Sequence, residues 1–289
     1  MRILVGVTPD ASAADAMSLA SVLQSSFAAE VVLGNIFPAP ADPAGKTKVD
    51  AEWVAYMRSE SVEILADVAR DADRWGLTEY TTAVHGHRSS GVGLIELAEA
   101  VDADLIVIGS APGSANGRFL IGSTADQLLH GSHVPVALAT TGYRRVRPDA
   151  LGRLVVAFQD TQESRTALRW AADNVNGRRL TALTILLRHR VMGSQLAFDT
   201  EGLITRQLAE DAQAALDDAL LDLGAQADAQ MTVGDDASSA IQRFDWNGDE
   251  LFVLASSRGG VLRRVFLGDM TYKLVRATPV PALVLPRRT

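Results

Sequence analysis

The amino-acid sequence predicts an α/β protein built from two tandem, doubly wound parallel sheets of five strands each. Three observations lead to this fold class. The second half of the chain repeats the first, each half alternates short apolar runs with helical patterns, and several of the apolar runs contain no polar residue. A strand that is apolar along its whole length is buried on both faces, which is typical of a parallel sheet covered by helices.

The repeat extends over the whole chain. Similar segments keep the same order in both halves, at an offset of 151 residues near the start of each half and 146 near its end. The matched segments are 2–7 with 153–158, 16–20 with 167–171, 105–109 with 251–255, and 133–135 with 279–281. Because the change in offset requires only short deletions in loops, this order indicates a duplicated domain. We therefore expect domains at residues 1–140 and 151–289, joined by a linker at residues 141–150.

In the first half, strands are predicted at the apolar runs and helices where apolar residues recur with helical spacing. The predicted strands are residues 3–7, 31–36, 80–84, 105–108 and 136–139. The predicted helices are residues 12–27, 50–75, 93–101 and 123–130. Ser12 followed by Asp15 resembles a capping box, which would begin the first helix at Ser12. A stretch rich in Pro, Ala and Gly at residues 37–48 predicts a long mobile loop.

The second half repeats this alternation. Its predicted strands are residues 154–158, 183–187, 229–233, 251–254 and 282–285. Its predicted helices are residues 163–176, 203–223, 238–246 and 269–276. Strands joined by helices need crossover connections, which are right-handed and give an open parallel sheet.

The composition is that of a globular protein. Of its 289 residues 47% are hydrophobic and 21% charged, and none is cysteine, which excludes disulfides, thiolate zinc sites and cysteine nucleophiles. The apolar run at residues 3–7 is too short for the core of a signal peptide, and no stretch reaches the roughly 18 apolar residues of a membrane span. We therefore expect a cytoplasmic protein without membrane contact.

The net charge of −8 argues against a nucleic-acid partner, because an acidic chain repels a phosphate backbone unless its basic residues are segregated. One short basic segment contains Arg144, Arg145 and Arg147. Its position between the two halves favours a solvated linker over a site for a polyanion. We expect no nucleic-acid partner.

The first half contains a glycine-rich segment where a ligand is expected. In a doubly wound sheet the ligand crevice lies at the carboxyl ends of the strands, where the strand order reverses. Residues 109–124 follow an apolar strand, contain four glycines, and end with Ser123 and Thr124 at the start of a helix. Glycines let backbone N–H groups approach a polyanion, and hydroxyls can donate to phosphate oxygens. The alternative from composition alone is a flexible loop with an ordinary serine N-cap.

These features resemble the universal stress protein family, and the resemblance covers the chain twice. The nucleotide-binding pattern of that family is Gly, two residues, Gly, nine residues, Gly, then Ser or Thr. Gly109, Gly122 and Ser123 fit its first, third and fourth positions, whereas Pro112 stands at the second, with Gly113 one residue later. The resemblance implies an adenine nucleotide alpha hydrolase-like fold with strand order 3-2-1-4-5 and a crevice between the first and fourth strands.

The resemblance also implies which residues would hold an adenine nucleotide (ATP, ADP or AMP) in the N-terminal domain. They are Val7, Thr8, Asp10, Ile36, Gly109, Ser110, Gly113, Gly122, Ser123 and Thr124. Nucleotide-binding members place an aspartate at the end of the first strand, where it contacts the adenine-ribose end. Here Thr8 stands at that position and the nearest carboxylate is Asp10. Weak binding and no binding therefore both remain open.

The second half departs further from the family pattern. Gln159 replaces the aspartate, and the four pattern positions are Ala255, Arg258, Gly268 and Asp269. Asp269 would place a negative charge where a phosphate would bind, which is repulsive at short range. We expect the second half not to bind ATP.

No other catalytic or metal site is indicated. The sequence contains no Gly-x-x-x-x-Gly-Lys-Ser/Thr phosphate loop and no Gly-x-Ser-x-Gly nucleophile elbow. His85 and His87 can share one face at a strand end, but no third ligand of the right type is near them in the sequence. We therefore expect no metal ion and no catalytic residues.

Three functions are compatible with these patterns. The first is a non-catalytic regulatory stress-response protein whose N-terminal half senses or stores an adenine nucleotide. The second is a nucleotide-free scaffold with both crevices vestigial. A nucleotide-dependent enzyme ranks last, because no set of acid, base or metal ligands converges on the crevice. The resemblance also implies that the halves pair through their fifth strands and that two chains can form a homodimer.

Overall fold

Each half of the chain forms a parallel sheet of five strands that alternate with helices. The computed structural model describes residues 1–40, 48–188, 197–224, 226–256 and 269–287. The chain divides into two units, Met1–Ala150 and the described residues from Leu151 to Arg287.

The described part of the first unit contains five strands and four α-helices. In chain order they are β1 (Arg2–Gly6), α1 (Ala11–Phe27), β2 (Glu30–Phe37), α2 (Lys48–Arg70), β3 (Thr81–Gly86), α3 (Ser90–Ala100), β4 (Leu105–Gly109), α4 (Ser123–Gly131) and β5 (Val136–Ala139). The strands pair in the order β3-β2-β1-β4-β5, and every pairing is parallel. This result confirms the predicted fold class and strand order.

The second unit has the same arrangement. Its elements are β6 (Arg153–Phe158), α5 (Gln162–Asn174), β7 (Arg179–Leu187), α6 (Ala197–Leu223), β8 (Asp228–Gly234), α7 (Ala237–Ile241), β9 (Glu250–Ala255), α8 (Asp269–Ala277) and β10 (Ala282–Leu285). The strands pair in parallel in the order β8-β7-β6-β9-β10.

Helices cover both faces of the first sheet. Right-handed crossovers place α1 and α2 on one face and α3 and α4 on the other, where these two helices pack together. The central strands are fully buried, with Ile3, Leu4 and Val5 of β1 at 0% exposure. Among the described residues, no helix is both long and apolar enough to cross a membrane.

Four element boundaries differ from the predicted ones by four residues or more. β7 begins at Arg179, four residues before the predicted start, and the polar Thr181 in this added part is completely buried. α6 begins at Ala197, six residues before the predicted start. α2 ends at Arg70, and a separate 3-10 turn follows at Asp73–Trp75. α7 ends at Ile241 after little more than one turn. Residues 41–47 of the predicted loop lie outside the described part of the chain.

The N-terminus of α1 is capped by a different residue from the one predicted. Asp10 is the N-cap, and its Oδ1 accepts a hydrogen bond from the Ser12 N–H at 2.8 Å. Asp15 does not complete a capping box. Its two carboxylate oxygens accept from the N–H groups of Gly142 and Arg144, at 2.9 and 3.0 Å. The predicted capping box is wrong because Asp15 is buried and finds its partners in a distant segment.

That segment, residues 141–150, is called the connector below, and it packs against α1. Tyr143 in its single 3-10 turn is 2% exposed. The Arg144 Nη1 atom lies 2.8 Å from an Asp15 carboxylate oxygen, and Arg147 also donates to a side chain of α1. The expectation that these arginines form a solvated linker is therefore corrected, because two of the three are bonded to α1.

Candidate functional site

A cavity of about 250 Å³ opens at the carboxyl ends of β1 and β4 in the first unit. β1 lies between β2 and β4 in the sheet, so the chain leaves β1 towards one edge and β4 towards the other. The first turns of α1, α3 and α4 form the walls of the cavity. A doubly wound sheet is expected to bind a ligand at this point of reversal.

Most of the residues predicted from the sequence lie together around this cavity. Nine of the ten line it: Val7, Thr8, Asp10, Ile36, Gly109, Ser110, Gly122, Ser123 and Thr124. The tenth, Gly113, is not among the lining residues, whereas its neighbour Pro112 is.

Three polar residues of the cavity are absent from the predicted set: Ser12, Asn35 and Ser90. Asn35 has a visible signal in the sequence, since it is an amide near the end of an otherwise apolar strand. Ser90 begins a helix after the third strand, and that helix approaches the cavity only because the fold places α3 beside α4.

Asn35 fixes the floor of the cavity. It is 7% exposed, its Nδ2 donates to the carbonyl oxygen of Val7 at 2.7 Å, and its Oδ1 accepts from the hydroxyl of Ser61 at 2.6 Å. Ser61 belongs to α2 and is also buried. The chain of hydrogen bonds therefore joins α2, β2 and the end of β1, and holds these backbones in place beneath the cavity.

Gly109 has a packing role that is independent of any ligand. A β-carbon at this position would lie 2.3 Å from the carbonyl oxygen of Ser12, far inside van der Waals contact. The first turn of α1 therefore approaches the end of β4 as closely as it does because residue 109 is glycine. Near this contact, the hydroxyls of Thr8 and Ser12 lie 3.3 Å apart.

The glycine-rich loop, residues 110–122, is held by its own hydrogen bonds. The Leu120 N–H donates to the Ser110 hydroxyl at 2.8 Å, and the Ala111 N–H donates to the Leu120 carbonyl oxygen at 3.1 Å. Ser110 is buried, so its hydroxyl closes the loop. Gly113 and Gly117 have φ values of +88° and +71°, which the turns require and which glycine adopts without strain.

The N-terminus of α4 presents backbone N–H groups to the cavity. Gly122 is the N-cap and has no side chain to bond them. The first hydrogen bond of the helix runs from the Asp126 N–H to the Gly122 carbonyl oxygen at 2.9 Å. The N–H groups of Ser123, Thr124 and Ala125 therefore have no partner within the helix, and all three residues line the cavity. Such a terminus favours an anionic group.

A pair of hydroxyls lies beside this helix terminus. The Ser90 and Thr124 hydroxyl oxygens are 2.6 Å apart. Gln127 of α4 holds α3 in position, because its Oε1 accepts from the Gly91 N–H at 3.1 Å and from the Ser89 hydroxyl. A β-carbon on Gly91 would lie 2.5 Å from that of Gln127, so glycine permits this contact between the two helices.

The charged lining of the cavity is sparse. Of the described residues that line it, one is a carboxylate, Asp10, and none is lysine or arginine. The Asp10 carboxylate already caps α1. An anionic ligand would therefore be held by N–H groups and hydroxyls.

At the corresponding position in the second unit, the described residues line a cavity of about 40 Å³, and its walls include the apolar side chains of Phe158, Met270 and Leu274. Phe158, the last residue of β6, corresponds in the repeat to Val7. The Thr271 hydroxyl donates to the Ala255 carbonyl oxygen at 3.0 Å. Residues 257–268, with Arg258 and Gly268 of the family pattern, lie outside the described part of the chain. The repulsive effect of Asp269 stays a prediction.

Two histidines, one near the end of β3 and one directly after the strand, lie near a carboxylate of α3. The His85 Nε2 atom lies 2.7 Å from one oxygen of Glu96, and the His87 Nε2 atom lies 3.9 Å from the other. The fold thus supplies an acidic neighbour that is distant in sequence. Within the described ranges, no group of three or more His, Cys, Asp or Glu residues is arranged to hold a metal ion.

A family comparison decides what kind of protein this is. The model of the universal stress protein family matches residues 1–139 and again residues 151–286. The chain belongs to the universal stress protein family. The family resemblance and its tandem form, both predicted from the sequence, are confirmed.

Named relatives cover the same length. A universal stress protein of Mycobacterium tuberculosis and one of Mycobacterium bovis are each 30% identical to this chain over 282 residues, which is 94% of this chain and 93% of the relative. The crystal structure of a universal stress protein from Archaeoglobus fulgidus has a TM-score of 0.66 at 18% identity, and the match covers 99% of this chain and 98% of that one. At this identity the likeness establishes the fold.

The two universal stress protein repeats therefore differ in their crevices rather than in their scaffold. Both match the family and both have the same strand order. The first has a cavity of about 250 Å³ at an open helix terminus, whereas the described residues of the second line a cavity of about 40 Å³.

Proposed function

We propose that the first unit binds an adenine nucleotide (ATP, ADP or AMP) and that the protein is a non-catalytic, cytoplasmic regulator of the stress response. Binding of the nucleotide would change the conformation of the protein or its choice of partner, and the protein would not turn over a substrate. The second unit would not bind ATP.

One observation carries this proposal: nine of the ten residues that the family resemblance implies for nucleotide binding line the cavity at the strand-order reversal. The N–H groups at the start of α4 suit the phosphate end of the ligand. The apolar residues Val7, Ile36, Leu94 and Ile108 offer a surface for the base.

The direct test is to denature the purified protein and separate the released small molecules by nucleotide-resolving chromatography. Calorimetric titration of the nucleotide-free protein with ATP, ADP and AMP then gives the affinity and stoichiometry. We expect about one nucleotide per chain. No binding at millimolar nucleotide would overturn the proposal.

A matched pair of variants tests the site itself. Gly122→Asp places a carboxylate at the N-cap of α4, where it would repel a phosphate, while Gly122→Asn adds a side chain of the same size without charge. Both residues are good N-caps, so the helix itself should be retained. We expect Asp to abolish binding and Asn to weaken it less. Equal losses would indicate crowding against Ala111, which a β-carbon at residue 122 would approach to 2.9 Å.

A second candidate function is a scaffold that acts through its surfaces alone. Two observations favour it: Thr8 stands where nucleotide-binding members have aspartate, and no described lysine or arginine lines the cavity. Failure of all three nucleotides to bind would support this alternative. Sustained release of phosphate or pyrophosphate would instead favour an enzyme. Pairing through the fifth strands and homodimer formation stay predictions, and analytical ultracentrifugation would give the number of chains.

A further inference from the structure

The glycine-rich loop is joined to the connector by two backbone hydrogen bonds. The Gly117 N–H donates to the Thr141 carbonyl oxygen at 2.8 Å, and the Thr141 N–H donates to the Arg118 carbonyl oxygen at 2.9 Å. Thr141 begins the connector two residues after β5 ends. The loop at one side of the cavity is therefore fastened to the segment that leads into the second unit.

The same connector is fastened to a second wall of the cavity. The Asp15 carboxylate of α1 is 4% exposed, accepts from the N–H groups of Gly142 and Arg144, and pairs with the Arg144 side chain at 2.8 Å. Asp15 lies about one turn after Ser12, which lines the cavity. Asp15 does not line it.

We infer that a nucleotide in the first-unit cavity stabilises the connector, so that the segment preceding the second unit responds to occupancy of the cavity. The inference rests on the proposed function. A ligand that accepts hydrogen bonds from the start of α4 and touches both the glycine-rich loop and α1 restricts the motion of these two walls. The connector is bonded to both walls through the N–H groups of Gly117, Thr141, Gly142 and Arg144, and its opening becomes less frequent.

Thermodynamic reciprocity gives the inference a second consequence. If ligand binding stabilises the connector, then a change that loosens the connector must lower the affinity for the ligand by the same factor. A change at Asp15 should therefore lower nucleotide affinity even though Asp15 is outside the cavity. A purely local binding site predicts no such effect.

Hydrogen–deuterium exchange of the full-length protein, with and without saturating ATP, tests the first consequence. We expect slower exchange at Gly117 and at residues 141–144 when ATP is bound. ATP that binds by calorimetry while these amides exchange at unchanged rates would overturn the inference and leave the proposed function standing. Failure of ATP, ADP and AMP to bind would overturn both.

The variant Asp15→Asn tests the second consequence. Its amide keeps one accepting oxygen and loses the charge that pairs with Arg144. We expect faster exchange at Gly142 and Arg144 and an ATP affinity lower by about fivefold or more. Asp104→Asn is the matched control, because the Asp104 carboxylate accepts from the Arg2 N–H at 2.7 Å at the amino end of β4, away from the cavity.

The control should bind ATP like the wild type. Equal ATP affinity in Asp15→Asn and the wild type, with circular dichroism showing both folded, would contradict the inference. Should Asp15→Asn fail to fold, the exchange measurement on the wild type decides the matter without it.

Discussion

The Asn35 side chain donates a 2.7 Å hydrogen bond to the carbonyl oxygen of Val7, and this bond joins the carboxyl ends of β1 and β2 beneath the cavity. We expect Asn35→Leu to lower the free energy of unfolding by about 1–3 kcal/mol, because it leaves the Val7 oxygen and the Ser61 hydroxyl buried without a partner. Urea unfolding followed by tryptophan fluorescence would measure the change.

The control for Asn35→Leu is Ser25→Ala. The hydroxyl of the exposed Ser25 donates to the Ser21 carbonyl oxygen within α1, so its loss should change stability by less than about 0.5 kcal/mol. If the two variants were equally stable, the hydrogen bonds of Asn35 would contribute nothing measurable to the free energy of unfolding.

Ser90 supplies a test of which end of the ligand lies at α4. Its hydroxyl is 2.6 Å from that of Thr124 and lines the cavity. We expect Ser90→Ala to weaken AMP binding about fivefold, the value of one hydrogen bond, and to leave adenosine binding unchanged. Calorimetric titration with both ligands would show the difference.

Ser25→Ala is the matched control for that experiment. The Ser25 hydroxyl donates to the Ser21 carbonyl oxygen at 3.1 Å near the carboxyl end of α1 and does not line the cavity. Loss of this hydroxyl should change the affinity for neither AMP nor adenosine. An equal loss of AMP and adenosine affinity in Ser90→Ala would show that the serine shapes the cavity and does not bind phosphate.

The two halves contain a salt bridge at the amino end of the sheet, buried in one and exposed in the other. Arg153 and Glu250 are 6% and 0% exposed in their side chains, and Glu250 also accepts from the N–H groups of Asn247 and Gly248. We expect Glu250→Ala to cost about 3–5 kcal/mol of unfolding free energy, since it leaves a buried arginine unpaired.

An exposed pair of the first unit, between β1 and β2, is the natural comparison. Arg2 pairs with Glu30 at 2.9 Å, but their side chains are 39% and 73% exposed. Glu30→Ala should therefore cost only about 0–1 kcal/mol. Chemical denaturation of both variants would measure the contrast, and similar losses would mean that burial does not decide the strength of these pairs.

The sequence predicts the scaffold well because parallel strands buried on both faces are apolar throughout. It selects Gly109 for its place in the family's glycine pattern, whereas the structure shows a packing reason for the glycine, its close approach to Ser12. It cannot predict the partners of Asp15, which lie 127 and 129 residues away and depend on the folded path of the connector. The capping-box pattern at Ser12 is a local signal that this distant contact overrides.

The cap of α7 gives the second unit a dependence on pH. The Ser239 N–H, 2.7 Å from the Asp236 Oδ1 atom, holds the pKa of Asp236 below its ordinary value of 3.8. Because the folded pKa is the lower one, the charged cap stabilises the fold above pH 3.8, and the stabilisation is lost as the pH falls through the folded value.

Asp236→Asn keeps a good N-cap without a titrating group. We expect the wild type to lose more stability than this variant when the pH is lowered from 5 to about 2. Thermal unfolding at a series of pH values would measure both. If the melting temperatures of the two proteins fell equally with pH, the lowered pKa of Asp236 would not be the source of the pH dependence.

The difference between the two cavities has a calorimetric consequence. The second unit, whose described residues line a cavity of about 40 Å³, is proposed not to bind ATP, so its melting temperature should be independent of nucleotide concentration. In the first unit, a ligand that binds only the folded state should raise the free energy of unfolding by about 2.7 kcal/mol at one hundred times its dissociation constant, and should therefore raise the melting temperature. A heating scan should therefore contain two endotherms whose separation changes with added nucleotide. The endotherm of the first unit should move to higher temperature as the nucleotide concentration rises, and that of the second unit should stay in place as an internal reference.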